Sequence, residues 1–195
     1  MNIAGILALG NPGAKYEATR HNVGIWLIER WAERTGETLQ AGKKLPGRSA
    51  QWFPGAAGGG SVRVLASGTY MNASGGAAAA LVQYYDIDPG QLLVIHDEMD
   101  LPAGRARFKR GGGPGGHNGL TDIIKALGTP DFWRLRIGID RPQQRGYTDY
   151  VLGHPGGAAR QAILECIERT LDVFDEFCCG DPQRAIQRLH SEPAA

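Results

Sequence analysis

The chain has 195 residues, of which 29 are glycine, and its 21 Lys and Arg nearly balance 20 Asp and Glu. Glycine is about twice as frequent as usual, but it follows no three-residue period, which excludes collagen. An apolar content of 42% and a net charge of +1 exclude wholesale disorder, and no apolar run approaches the roughly 20 residues of a membrane span.

Apolar runs and helix-breaking residues predict strands that alternate with helices along the chain. The strands are predicted at 3–9, 61–67, 92–96, 105–109 and 134–139. The helices are predicted at 22–34 with Asn22 as the cap, at 74–85, 117–127, along an apolar stripe over 163–178, and near 182–190. Residues 54–60 are interpreted as a loop. This alternation indicates one α/β layer structure without linkers or repeats.

The cysteines predict a reducing compartment. Cys166, Cys178 and Cys179 are odd in number, lie late in the chain and have no metal-site spacing. They are interpreted as buried or idle thiols of a cytoplasmic protein. The N-terminal apolar run lacks the basic start and the length of a secretory signal, so it is interpreted as a strand.

The charge is unevenly distributed despite the small net value. Residues 101–145 hold nine Lys and Arg against three Asp, an excess of six positive charges, so the rest of the chain carries five excess negative charges. This excess surrounds the glycine-rich run 111–116. A solvated face is the ordinary interpretation, and a binding surface for a polyanion is the alternative.

Several common catalytic motifs are absent, including Gly-x-Ser-x-Gly, His-Glu-x-x-His and the P-loop. The run 111–116 formally fits the Gly-x-Gly-x-x-Gly of dinucleotide sites, but such a match is nearly automatic in a glycine run, and Pro114 stiffens it. Asp97, Glu98 and Asp100 either bind Mg²⁺ or lie in a solvated loop. Three histidines are interpreted as structural: His96, His154 and His190.

Polar residues follow four of the predicted strands. Ligands of open α/β sheets lie beyond the carboxyl ends of strands, so these loops could meet in one crevice. His21 and Asp97 would then form a general-base pair, while Asn11, Asn72 and Asn118 offer amides that hold a peptide or polarise a carbonyl. Alternatively, Asn11 and Asn118 are turn residues and Asn72 is a helix cap. No serine or cysteine nucleophile is evident, which favours direct attack by water.

Six segments in order resemble bacterial-type peptidyl-tRNA hydrolases: LALGNPGAKYEATRHNVG, TYMNASG, HDEMDLPAG, RFKRGGGPGGHNGLTDIIKALGT, FWRLRIGIDRP and YVLG. The resemblance extends from about Ile3 to Gly153. It implies a single α/β domain over residues 1–195, with a mixed twisted sheet flanked by helices on both faces. It also implies hydrolysis of the ester that joins a peptide to the 3′-terminal ribose of tRNA.

The resemblance also implies roles for individual residues. His21 would be the catalytic base, Asp97 would support it, and Asn11 would help to discriminate blocked from unblocked aminoacyl groups. Substrate binding is implied for Tyr16, Tyr70, Asn72 and Asn118. Met71 and His117 are implied to form the wall of the cleft, and Lys109 and Arg136 are implied to contact tRNA phosphates. The implied partner is tRNA, with no metal or organic cofactor, no membrane and no obligate protein partner, so a monomer is expected.

The chain departs from the family pattern at a few positions. Pro114 lies where a more flexible or polar residue is usual, Asp140 adds a negative charge beside a basic strand, and His154 replaces an aromatic residue. The main rival hypothesis is an RNA-binding relative that has lost hydrolysis. The presence of His21 and Asp97 argues against it, because binding alone needs no base–carboxylate pair.

Overall fold

The computed structural model describes residues 2–54, 60–142 and 146–191. Most of the loop predicted at 54–60 therefore lies outside the described residues. Within the described ranges, no helix combines the length and the hydropathy that crossing a bilayer requires.

Strands and helices alternate over most of the chain. The strands are β1 Gly5–Ala8, β2 Gln40–Ala41, β3 Gly47–Trp52, β4 Val62–Ser67, β5 Leu92–Glu98, β6 Ala106–Arg110 and β7 Trp133–Gly138. The α-helices are α1 Val23–Thr35, α2 Ser74–Tyr85, α3 Asn118–Leu127, α4 Tyr147–Val151, α5 Gly157–Leu171, α6 Phe174–Cys179 and α7 Pro182–Ser191. Short 3₁₀ turns lie at Arg20–Asn22, Met71–Ala73 and Pro89–Gln91.

The seven strands form one mixed sheet in the order β2-β3-β4-β1-β5-β7-β6. The four central strands β4, β1, β5 and β7 run parallel, and Leu7 of β1 lies opposite Leu65 and Val94. The outer strands β3 and β6 pair antiparallel with β4 and β7. The predicted fold class is confirmed: a single α/β domain with a mixed sheet flanked by helices. Because the central strands are parallel, their carboxyl ends share one edge of the sheet.

Alternate residues of the central strands pack on opposite faces of the sheet. Ile6 and Ile95 join the cluster under α1, α5, α6 and α7, whereas Leu7 and Val94 join the cluster under α2 and α3. Strands covered on both faces are typical of parallel sheets. Burying each large aliphatic side chain contributes about 1.5–3 kcal/mol. This two-sided core holds the carboxyl ends of β1 and β5 at fixed positions.

The structure differs from the sequence prediction at three places in the chain. Strands β2 and β3 were not predicted, because β3 buries little except Trp52 and depends on its pairing with β4. The stripe predicted as one helix is divided into α5 and α6, since Val173 at φ −118° leaves helical geometry. The five-residue α4 was also missed. Cys166 and Cys178 are buried in the core, as predicted for two of the three thiols.

Candidate active site

A cleft of about 430 Å³ opens beyond the carboxyl ends of β1 and β5. Nine of the eleven predicted site residues line it: Asn11, Tyr16, His21, Tyr70, Met71, Asn72, Asp97, His117 and Asn118. The two predicted basic residues, Lys109 and Arg136, lie outside the cleft on β6 and β7. Residues far apart in the sequence therefore meet at one place because the parallel strands end at one edge.

Asp97 is buried at the floor of this cleft between two histidines. Its Oδ1 accepts hydrogen bonds from Nδ1 of His21 at 2.8 Å and from Nε2 of His117 at 3.0 Å. The backbone N–H of Leu120 donates to Nδ1 of His117 at 3.3 Å, which assigns the His117 proton to Nε2. Since Nδ1 of His21 donates to the carboxylate, its Nε2 carries the lone pair. His21 is therefore arranged to accept a proton at Nε2.

The electrostatics of the floor keep Asp97 ionised. Burial alone would raise the pKa of the Asp97 carboxyl, but His21 and His117 outweigh burial and hold that pKa well below its ordinary value. The neighbouring His96 is fully buried, and burial lowers its pKa to about 3, so its ring is neutral. Nδ1 of His96 donates to the backbone oxygen of Asp97 at 2.6 Å. This contact agrees with a structural interpretation of His96.

Asn11 is held by three hydrogen bonds at the end of β1. Its Oδ1 accepts from the backbone N of Met71 at 2.8 Å. Its backbone N donates to Oδ1 of Asn22 at 2.8 Å, and its carbonyl accepts from Nδ2 of Asn22 at 2.9 Å. Because a backbone N–H can only donate, Asn11 must give its oxygen to Met71, which leaves its Nδ2 as a donor for a ligand. Asn22 precedes α1 but makes no side-chain cap, so it positions Asn11 instead.

Asn72 and Asn118 present exposed amides to the same cleft. Neither amide has a side-chain hydrogen bond to the described residues. Asn72 lies inside a 3₁₀ turn, and the cap position of α2 is occupied by Ala73, so the helix-cap alternative for Asn72 is wrong. Asn118 is the first residue of α3, where His117 supplies the cap. Both amides can therefore bond to a ligand without losing a partner.

The glycine run 111–116 connects β6 to α3. Gly111, Gly112, Gly115 and Gly116 have φ values of 64°, 93°, 60° and 81°, a region that favours glycine. A dinucleotide site needs a parallel strand before such a loop, whereas β6 is an edge strand antiparallel to β7. The structure therefore gives no support to the dinucleotide alternative.

The acidic residues of this region have separate partners. Oε2 of Glu98 accepts from Nε of Arg136 at 2.9 Å, and Asp100 is paired with Arg141. The Mg²⁺ alternative at Asp97, Glu98 and Asp100 is therefore unsupported.

Within the described ranges, His21, Asp97 and His117 place three possible metal-ligand atoms within 4.8 Å of one another. However, the two ring nitrogens that face Asp97 are assigned as N–H donors, and a metal ligand needs a lone pair. Hydrogen bonding accounts for this cluster.

Comparison with known proteins identifies the family. A family model described as peptidyl-tRNA hydrolase matches residues 5–195. The chain belongs to the peptidyl-tRNA hydrolase family. It is 46% identical over 188 residues to the peptidyl-tRNA hydrolase of Nitrosospira multiformis, with 96% of this chain and 97% of that protein covered. The predicted family and class of enzyme, a hydrolase of ester bonds, are confirmed.

Further relatives of the peptidyl-tRNA hydrolase family agree in sequence and in structure. The peptidyl-tRNA hydrolase of Coxiella burnetii is 45% identical over 191 residues, with 95% of this chain and 96% of that protein covered. The crystal structure of the enzyme from Acinetobacter baumannii has a TM-score of 0.91 at 37% identity and covers 100% of this chain and 97% of that chain. The likeness extends over the whole fold rather than over the motifs alone.

The basic segment is less positive than the sequence count predicted. Arg136 and Arg141 pair with Glu98 and Asp100, which lie just before residue 101 and were left out of that count. Arg110 pairs within the segment with Asp131 at 2.8 Å. Fewer than nine of these cations are therefore without an acidic partner.

Lys109 differs from the paired arginines around it. It is exposed on β6 and forms no ion pair with the described residues. Asp140, the negative charge noted beside the basic strand, accepts from the backbone N of Ala103 at 2.9 Å. Of the two predicted phosphate contacts, Lys109 is the one whose charge has no partner of opposite sign in the described chain.

Helix α4 forms a wall of the cleft that sequence reasoning missed. Its contribution comes from Tyr147, Thr148, Val151 and the following Leu152. The helix is too short to show a periodic pattern, and the YVLG segment indicated the region without assigning a role. In this member of the peptidyl-tRNA hydrolase family, α4 and the residue after it add aromatic and aliphatic side chains to the cleft lining.

Proposed function

We propose that the protein hydrolyses the ester bond that joins a peptide to the 3′-terminal ribose of tRNA. The observation that carries this proposal is the His21–Asp97 hydrogen bond at the floor of a cleft that three amides line: Asn11, Asn72 and Asn118. The relatives named peptidyl-tRNA hydrolase support the substrate.

In this proposal, His21 acts as the general base. Its Nε2 takes a proton from a water molecule while the water oxygen attacks the ester carbonyl carbon. Asp97 stabilises the resulting imidazolium, which then returns the proton to the ribose oxygen as the ester bond breaks. General-base assistance contributes about 10²–10⁴-fold, so positioning and stabilisation of the oxyanion must supply the rest.

The amides supply the positioning. Nδ2 of Asn11 is a donor in the cleft that His21 also lines, and the carbonyl oxygen of a blocking group on the substrate amine can accept from it. A free aminoacyl group instead carries an ammonium, which is also a donor and cannot accept. Asn11 therefore favours blocked esters, while Asn72 and Asn118 bond to the peptide backbone.

The tRNA body binds outside the cleft in this proposal. Tyr16 and Tyr70 lie at the cleft mouth with their ring centroids 6.3 Å apart, and Met71 and His117 form its inner wall. Lys109 and Arg136 contact phosphates, which carry no base information and so suit an enzyme that accepts many tRNAs. The proposed steps use water and side chains, without a metal or organic cofactor.

The decisive experiment compares N-acetyl-aminoacyl-tRNA with the same aminoacyl-tRNA carrying a free amine. We expect rapid release of tRNA from the blocked ester and much slower release from the free one. Equal rates would contradict the role of Asn11. Tight binding of blocked aminoacyl-tRNA without any release would favour the rival hypothesis of an RNA-binding protein that lacks hydrolysis.

A further inference from the structure

Arg134 lies on β7 beneath the glycine run and is only 3% exposed. One of its guanidinium nitrogens donates to the carbonyl of Gly113 at 2.7 Å, and another donates to the carbonyl of Gly112. The carbon of the guanidinium lies 4.9 Å from the ring centroid of Phe132. Arg134 is one of the nine Lys and Arg residues of the basic segment 101–145, but unlike an exposed cation it is buried under a loop.

A buried cation is costly unless it is well bonded. Among the described residues, no carboxylate forms an ion pair with Arg134, and its Nε has no hydrogen-bond partner. Burial, together with nearby Arg136, lowers the pKa of Arg134 from its usual value, although arginine stays protonated in proteins. Two successive backbone carbonyls therefore provide its main compensation, and charge-assisted bonds of this kind are about twice as strong as neutral ones.

The same loop continues into the cleft. Pro114, Gly115 and Gly116 line the cleft, and the carbonyl of Pro114 accepts from the backbone N of His117 at 3.0 Å. His117 then donates to Asp97 and caps the helix that carries Asn118. The near end of the loop is tied to the sheet by Arg134, and its far end carries two residues of the candidate site.

We propose that Arg134 is a positioning residue that fixes the glycine run 111–116, so that His117 and Asn118 keep their places in the cleft. A planar guanidinium holds two successive carbonyls in one fixed orientation, whereas the ammonium of lysine has rotatable donors on a flexible stem and fixes no such orientation. This inference rests on the proposed function in one respect only, because the effect of Arg134 on the cleft is measured by the rate of ester hydrolysis.

Arg134 differs from the proposed phosphate contacts in what it can reach. Its guanidinium is covered by the loop, while Lys109 stands exposed in the neighbouring strand, with Lys109 and Arg134 paired in register. A phosphate can reach Lys109 but not Arg134. Loss of Arg134 should therefore slow the chemical step, whereas loss of Lys109 should weaken tRNA binding.

The first test compares Arg134→Lys and Arg134→Met on two substrates, N-acetyl-aminoacyl-tRNA and the N-acetyl-aminoacyl ester of adenosine. We expect kcat to fall by about ten- to a hundredfold on both, the range that follows from a small misplacement of a binding group. The salt dependence of KM for the tRNA substrate should stay close to wild type, because the phosphate contacts lie outside the loop. Arg110→Lys and Arg110→Met are the matched controls, because Arg110 is exposed and paired with Asp131.

A kcat restored to the wild-type value in Arg134→Lys, or a loss of kcat confined to the tRNA substrate, would overturn the proposal.

A second pair of variants tests the loop without changing a buried residue. On the adenosine ester, Gly112→Ala should reproduce the loss of kcat because Gly112 has φ 93°, whereas Gly113→Ala should stay near wild type because an added Cβ meets nothing within 4 Å. The ester is the substrate for this pair because a Cβ at Gly112 lies 3.1 Å from Nζ of Lys109, the proposed phosphate contact. Equal behaviour of these two variants would also contradict the proposal.

Amide hydrogen exchange gives a readout that does not depend on activity. We expect the amide protons of Gly111 and His117, which donate to the carbonyls of Phe132 and Pro114, to exchange faster in Arg134→Lys than in the wild type, while those of β1 and β5 stay unchanged. Unchanged exchange in the loop would overturn the inference. If the wild type cleaves neither substrate, the proposed function fails, and the exchange result still decides whether Arg134 fixes the loop.

Discussion

The floor of the cleft and the surface of β6 and β7 both depend on charge, but they use it differently. The side chains of His21 and Asp97 are 10% and 2% exposed, whereas those of the Arg110–Asp131 pair are 48% and 60% exposed. Water and salt weaken an exposed pair, while a buried one keeps most of its interaction. Single substitutions should therefore have large, local effects at the floor and small, additive effects on the surface.

The largest expected effect is at His21. His21→Ala should reduce turnover of N-acetyl-aminoacyl-tRNA by about 10²–10⁴-fold, because the general base is lost. Its affinity for tRNA should remain close to wild type, since phosphate binding lies elsewhere. Single-turnover rates and equilibrium binding measure the two quantities separately. His154→Ala is the matched control, because His154 is exposed and does not line the cleft. Unchanged turnover in His21→Ala would remove the proposed base.

The floor should also make stability depend on pH through His96. The unfolded chain binds a proton at His96 below about pH 6.5, but burial lowers the pKa of His96 in the folded protein to about 3. The unfolded state therefore binds more protons in this window, so stability is retained above pH 6.5 and falls as the pH drops towards 3. For a single titrating histidine, the free energy of unfolding falls by at most about 1.4 kcal/mol per pH unit.

His96→Asn tests this dependence, because a neutral amide can still donate to the carbonyl of Asp97. Urea unfolding between pH 4.5 and 6.5 should show a shallower decline for the variant than for the wild type. This window lies above the pKa of about 3.9 at which Asp97 titrates in the unfolded chain. Parallel declines in the two proteins would show that His96 does not cause the acid sensitivity.

The fold could be predicted where burial leaves a pattern in the sequence. Strand β1 and the first four residues of β5 are apolar because both faces of the sheet are covered there, whereas β7 alternates apolar residues with Arg134 and Arg136. Strand β3 has no such pattern, because its formation depends on pairing with β4. The division between α5 and α6 at Val173 also depends on how the two helices pack, since the apolar stripe continues through it.

The candidate site could be predicted in part for a similar reason. Strand ends and loop residues indicated that the loops holding His21 and Asp97 could meet in one crevice, and the parallel strands do end together there. Sequence alone could not separate Arg134 from Lys109, because both are basic residues of neighbouring strands and only the folded loop covers one of them. It also could not show that Glu98 neutralises Arg136, a pairing made between two strands.

Of the two basic residues predicted to contact tRNA phosphates, Lys109 should show the larger effect when it is substituted. Lys109→Ala should raise KM for the tRNA substrate several-fold and reduce the slope of log affinity against log salt by about 0.7–0.9, the value for one phosphate contact. kcat should stay near wild type. Lys125→Ala is the control, since Lys125 is an exposed lysine near the opposite end of α3 from His117. An unchanged salt slope in Lys109→Ala would contradict the phosphate contact.

Arg136 should have the smallest effect, because Glu98 already offsets its charge. The pair is half-buried, with Nε of Arg136 2.9 Å from Oε2 of Glu98. Arg136→Ala should reduce the salt slope less than Lys109→Ala does, but it leaves an unpaired carboxylate that lines the cleft and repels phosphate. Adding Glu98→Gln to that variant should therefore recover part of the lost affinity. The affinity for tRNA could instead fall more in Arg136→Ala than in Lys109→Ala and show no recovery in the double variant. That result would mean that ion pairing does not govern how this surface binds tRNA.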